Sequence, residues 1–179
     1  SDEEREQVAE LNLAAGMRAK ASAAYASALT YLNAGAALLV AGRSARRQEL
    51  AFALELHSAD CNICLGALQT AEESLAALAA RAADTIQRCA VGRRRVDLYT
   101  MLGTSDRSVE VGLECLRHAG IDLPAHPTKA QASAEYERIW PRLGSGAIED
   151  LVELPLMHDA ESLATLDVLT VMTIPTHYT

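Results

Sequence analysis

Cys61-Asn62-Ile63-Cys64 is the one short motif here whose residue types and spacing could do chemistry. A redox CxxC needs its first thiol at a helix N-terminus, where the partial positive charge acidifies it. This pair follows an apolar run beginning at Leu50 and falls in mid-helix, so that help is missing. A zinc site would need two further ligands at a credible spacing, and Cys89 and Cys115 each stand alone. The cysteines are therefore expected to be small buried or groove-facing residues, with thiol-based redox or metal sensing through Cys61 and Cys64 as the alternative. His57, His118, His126, His158 and His177 form no HExxH, no nucleophile elbow and no Cys–His pair, and read as structural or solvated. Neither a G-x4-G-K-[ST] nor a G-x-G-x-x-G run is present, so no bound nucleotide, cofactor or metal is expected. Arg93-Arg94-Arg95 and Arg43-x-x-Arg46-Arg47 are short basic clusters on an acidic chain. They read as surface and capping charges rather than as a nucleic-acid footprint. The chain itself is expected to be non-catalytic.

The elements that position these residues are legible in the composition. Half of the 179 residues are apolar and only 4% aromatic, and the formal net charge is −8. That is too apolar for a disordered tail and too poor in aromatics for a nucleic-acid stacking platform. Alanine and leucine make up about a third of the chain, which favours helix over strand. No stretch reaches the roughly 18 continuous apolar residues of a membrane helix. Ser1-Asp2-Glu3-Glu4 carries no charged-then-apolar leader, and the far end stops without a closing signal. We read the chain as a piece of a longer, cytoplasmic polypeptide with reduced cysteines. The fold class expected is all-α.

All five prolines fall after residue 123, which divides the chain into a long-helix part, 1–123, and a proline-punctuated helical appendage, 124–179. The first part repeats. Gly66 and Gly103 are 37 residues apart, and at that offset Ala71 answers to Ser108, Leu75 to Gly112 and Leu78 to Cys115. One step upstream, Tyr25, Ala28, Leu32 and Gly35 share the spacing of Leu68, Ala71, Leu75 and Leu78. These match the tetratricopeptide pattern in degenerate form, at an interval longer than its standard of about 34. They predict an α-α superhelix of three helix pairs near 5–41, 47–84 and 86–119; an ordinary bundle with chance spacing is the alternative. Gly66 followed by Thr70-x-x-Glu73, and Gly103 followed by Thr104 and Ser105, read as turn signals.

The appendage reads as three short helices. Thr128 with Gln131 forms a capping box opening 129–143, where Ala132, Tyr136, Ile139 and Leu143 make one stripe. A second helix covers 148–154, and Asp159 caps a third carrying Leu163, Leu166 and Leu169. Trp140 is expected to plug the junction with the repeats.

In tetratricopeptide arrays the first helices of the pairs line a concave groove. That geometry points Leu13, Met17, Lys20, Leu56, Asp60, Ile63, Arg93, Asp97 and Met101 at the groove. Mixed apolar and charged residues there suit a peptide or helix partner, or a neighbouring segment of the same parent chain. No nucleic-acid or membrane partner is expected.

Three runs carry a closer likeness: "LNLAAGMRAKASAAYASALTYLNAGAALL", "ELAFALELHSADCNICLGALQTAEESLAAL" and "VEVGLECLRHAGIDLPAHPTKAQASAEYERIW", followed by "IEDLVELPLMHD". Together they resemble the tetratricopeptide-like helical-repeat region of large bacterial signalling proteins. Those proteins join a serine/threonine kinase-like domain, a P-loop ATPase, this region, a GAF sensor and a histidine kinase. The resemblance departs from the family at the pair turns "GALQTAEE" and "GTSDRSVE". It implies a scaffold that relays between the ATPase and the sensor and histidine-kinase modules, and it transfers none of their catalytic motifs.

Overall fold

The computed structural model describes residues 1–39, 44–143 and 148–178. Among these the chain is all-α, with eight α-helices, two short 3-10 helices and no strand. Six helices form successive antiparallel neighbours: α1 (Asp2–Ala21) with α2 (Tyr25–Ala37), α3 (Ala45–Cys64) with α4 (Leu68–Arg81), and α5 (Thr85–Met101) with α6 (Ser105–His118). After α7 (Lys129–Leu143) and a 3-10 helix (Ile148–Glu153), α8 (Ala160–Met172) packs against α5 and α6. The short helix expected at 148–154 is the 3-10 helix over residues 148–153. Arg43 of the second basic cluster and the side chain of Leu143 lie outside the described residues.

The turns explain the repeat. Gly66 and Gly103 sit at φ +78° and +70°, the left-handed region that glycine enters without a Cβ clash. Each closes a Schellman motif. Ala67 N donates to Asn62 O (2.8 Å) and Gly66 N to Ile63 O (3.0 Å); Thr104 N donates to Tyr99 O (2.9 Å) and Gly103 N to Thr100 O (3.0 Å). The first turn repeats these bonds around Ala23, which adopts φ +56° although it is not glycine. Because each second helix follows directly on such a turn, α2, α4 and α6 have Ala24, Ala67 and Thr104 at their N-cap positions and no side-chain cap hydrogen bond. Thr70-x-x-Glu73 therefore lies inside α4 and is not a capping box, and Thr104 Oγ1 donates to Tyr99 O instead of capping α6. The first helices, by contrast, are capped by side chains, those of Ser1, Ser44 and Asp84.

Three cores stack along the molecule, each made by one pair and the next first helix. Ala28 and Leu32 meet Leu54 and Cys61; Leu75 and Leu78 meet Phe52, Val91 and Leu98; Val96 and Leu116 meet Val168 and Met172. α8 thus occupies the place of a fourth first helix, and like the others it is capped, with Asp159 Oδ2 accepting from Ser162 N (2.8 Å). Gly112 makes this possible. Leu32 and Leu75 stand at its position in the other pairs, but a methyl built on Gly112 would fall 2.8 Å from Cγ of Met172. The small residue is where the methionine of α8 inserts. The stripe Leu163, Leu166, Leu169 is not the buried face of α8: Leu163 and Leu166 are exposed, and Thr165, Val168 and Met172 are buried. The residues of α8 that meet α5 and α6 follow the vacancy in α6 rather than the leucine periodicity.

Helix α7 starts at the expected capping box, with Gln131 N donating to Thr128 Oγ1 (3.3 Å) and Thr128 N to Gln131 Oε1 (2.9 Å). Its described side chains are exposed along the helix. Trp140 plugs no junction: it is 45% exposed and stacks edge-on against Tyr136 of its own helix, 5.8 Å between centroids. The α8 helix already fills the place next to the third pair.

Candidate interaction groove

The first helices set one face side by side and leave a concavity of about 610 Å³. Its lining follows the repeat. Met17, Asp60 and Asp97 occupy one position in the three pairs, offset by 43 and 37 residues. Lys20, Ile63 and Thr100 occupy a second; Ala21, Cys64 and Met101 occupy a third. Three turns of three helices thus form a nine-residue floor. Tyr25, His57, Arg93 and Arg94 complete it, with Val171 and Ile174 entering from α8 and just beyond it.

Of the residues expected in the groove, Met17, Lys20, Asp60, Ile63, Arg93, Asp97 and Met101 come together there. Leu13 and Leu56 do not. Leu56 is 8% exposed in the middle core, and Leu13 packs on the first. They lie one turn away, turned into the cores, and only Arg93, their counterpart in the third pair, reaches the rim. His57 and Arg94 were missed because a histidine and one arginine of a run of three carry no pattern of their own. Their shared repeat position, 37 residues apart, is the signal that places both in the groove.

Asp60 ties the three first helices together. Lys20 Nζ on α1 donates to Asp60 Oδ2 (2.5 Å) and lies 3.1 Å from His57 Nδ1. From α5, Arg94 Nε donates to Asp60 Oδ1 (2.5 Å) and Nη2 to Oδ2 (3.0 Å), while Nη1 donates to Ala90 O (2.8 Å). Burial alone would push the Asp60 carboxyl up; the hydrogen bonds of His57 and Arg94, the Arg94 charge and Lys20 outweigh it and hold it well below the usual carboxylate range. Asp97, by contrast, has no hydrogen bond or ion pair among the described residues. Burial, opposed by the charges of Arg93 and Arg94 and aided by that of Asp60, pushes its carboxyl up. The three arginines of the run diverge: Arg93 lines the groove, Arg94 holds Asp60, and Arg95 lies over the Tyr99 ring at 5.9 Å.

The CxxC cysteines also diverge. Cys61 is fully buried in the first core, and Cys64 is exposed in the last turn of α3, facing the groove. The motif thus sits at a helix C-terminus rather than in mid-helix. Cys115 Sγ, not a CxxC partner, approaches Cys89 Sγ at 3.6 Å, and burial and the neighbouring sulfur push the Cys115 thiol up to about 12. Among the described residues no group of three or more His, Cys, Asp or Glu could hold a metal ion, and no helix is long and apolar enough to cross a membrane. A second hollow of about 790 Å³ lies between α6, α8 and the 122–135 arm, walled by Leu113, Leu123, Pro124 and Leu169. It gathers no charged cluster comparable to that around Asp60.

In comparison with known proteins, no family model, no curated protein and no solved structure matches this chain.

Proposed function

We propose that the chain is a non-catalytic interaction module whose concave face holds a peptide or helix, from another domain of the same parent chain or from a separate protein. The observation that supports this most is the stripe of equivalent positions facing one concavity. Met17 and Met101 are exposed there at its two ends, 47% and 61%, around a polar tie that is internally satisfied. Exposed methionines conform to varied apolar shapes, and the fixed charges between them set orientation and exclude wrong partners. The further context is a bacterial signal-transduction kinase in which this region relays between an ATPase module and sensor and histidine-kinase modules. That part rests on the sequence resemblance alone. A redox or metal role for Cys61 and Cys64 is the weaker reading, because one thiol faces the core and the other closes a helix at the end opposite to the one a redox CxxC uses.

The test is affinity capture by the full chain and by its Met17→Asp, Met101→Asp variant, with the ATPase and GAF-containing segments of the parent as bait. Both methionines are exposed, so the variant should fold. Loss of a partner in the variant supports the groove; a folded variant that keeps every partner of the wild type refutes it.

A further inference from the structure

The charges lining the groove do not balance. Lys20, Arg93 and Arg94 face only Asp60 and Asp97, an excess of one positive charge on a chain whose net charge is −8. The excess has a definite place. Two cations, Lys20 and Arg94, share the single negative charge of Asp60, and their side chains keep only 29% and 14% exposure. Water and salt therefore screen the surplus weakly. All three guanidinium nitrogens of Arg94 are committed, two to Asp60 and one to Ala90 O. Lys20, with three N–H donors, makes one bond to Asp60 and lies beside His57, so a donor is left over. Arg93, at the rim, has no ion pair among the described residues. Asp97 compensates poorly, because burial works against its ionised form. Next to these cations lie the apolar surfaces of Met17, Ile63 and Met101. A nucleic acid would answer the charge but leave those surfaces uncovered, and Tyr25 is the one Phe, Tyr or Trp in the lining on which a base could stack.

We propose that the occupant of the groove is an acidic peptide segment, whose carboxylates meet Arg93 and Lys20 while its apolar side chains lie on Met17, Ile63 and Met101. This deepens the groove reading above and rests on it, adding the chemistry of the partner. The Asp60 tie then has two effects. It joins the three first helices, and by holding two cations on one carboxylate it keeps a surplus positive charge where a ligand can reach it. The same surplus repels a basic segment of equal apolarity, so the groove selects by sign as well as by shape.

The test offers the immobilised full chain a displayed library of random dodecapeptides and reads the sequences it enriches. The expected sequences combine Asp or Glu with large apolar residues, and they are lost when the Arg93→Glu chain replaces the wild type. One enriched peptide, followed by fluorescence anisotropy, should bind Arg93→Gln about tenfold more weakly. It should bind Asp97→Asn more tightly, because that change removes the carboxylate that repels it. Enrichment of basic or uncharged sequences, the same sequences from Arg93→Glu as from the wild type, or no enrichment at all overturns the proposal. So does a mixed-sequence single-stranded RNA that binds the wild type and is lost by Arg93→Glu, since the surplus would then serve a phosphate backbone. If the enriched peptides are not acidic but Met17→Asp, Met101→Asp loses them, this inference fails and the groove reading stands. If acidic peptides bind that methionine variant unchanged, both fail.

Discussion

Arg94 on α5 grips Asp60 on α3 through one edge of its guanidinium, Nε to Oδ1 at 2.5 Å and Nη2 to Oδ2 at 3.0 Å. With Lys20 on the same carboxylate, this joins all three first helices at the floor of the groove. Asp60→Asn would leave two cations facing each other. At pH 7 it should cost about 2 kcal/mol, below the roughly 3–5 kcal/mol of a fully buried pair, because the Asp60 side chain keeps 17% exposure. The folded carboxyl titrates below the ordinary range, so its stabilisation is complete above about pH 4 and is lost as pH falls towards the folded value. Urea unfolding of both proteins at pH 7 and at successively lower pH should show a gap that narrows only below about pH 4. A constant gap would contradict the assignment.

Asp97 has the opposite sign. Its carboxyl is pushed up, chiefly by burial, against the pull of Arg93 and Arg94. Ionising it costs stability, a cost absent below about pH 4 and present once pH rises above the folded value. Asp97→Asn should therefore stabilise the chain at pH 7 and leave it unchanged near pH 3, as read from urea midpoints. Any loss of binding in that variant would then reflect recognition rather than folding.

The three pair turns share one backbone conformation, yet Ala23 meets it at φ +56° with a Cβ where Gly66 and Gly103 have none. Ala23→Gly relieves the left-handed strain but loosens the unfolded chain, and should stabilise by up to about 1 kcal/mol. Gly66→Ala should destabilise by a similar amount, although no atom lies within 4 Å of its added methyl. Thermal unfolding of the two variants should move in opposite directions.

Gly112 and Met172 form a lock between α6 and α8. Met172→Ala should cost about 2–4 kcal/mol through the cavity it leaves. Gly112→Leu restores the side chain of the other pairs but must expel Met172. Limited proteolysis should then cut near 154–159 and release α8, whereas the first two pairs, which share no core with it, stay resistant.

Much of this was legible in the sequence, and the reason is periodicity. Offsets of 43 and 37 residues align Ala23, Gly66 and Gly103, the buried Ala28, Ala71 and Ser108, and the groove position Met17, Asp60 and Asp97. Side-chain chemistry makes sense of the departures only once neighbours are known. Ser108 replaces alanine because its hydroxyl finds Val96 O at 2.9 Å, and Gly112 reads as a decayed repeat until Met172 is seen to fill it. The role of α8 was hidden for the same reason: its packing on α5 and α6, with Met172 at Gly112, joins distant parts of the chain that no local pattern relates. Trp140 stays exposed because α8 already fills the place beside the third pair. Leu13 and Leu56 were misplaced because each packs into a core between neighbouring helices, and of that repeat position only Arg93 reaches the groove.

The central claim is that partners bind on the concave face of the first helices. The four methionines are placed to test it: Met17 and Met101 in the groove, Met157 exposed outside it, and Met172 in the last core. Methionine-methyl NMR of the full chain, titrated with the parent segment that capture returns, should move the Met17 and Met101 signals and leave Met157 and Met172 in place. Movement of Met157 with Met17 and Met101 unchanged would contradict the account.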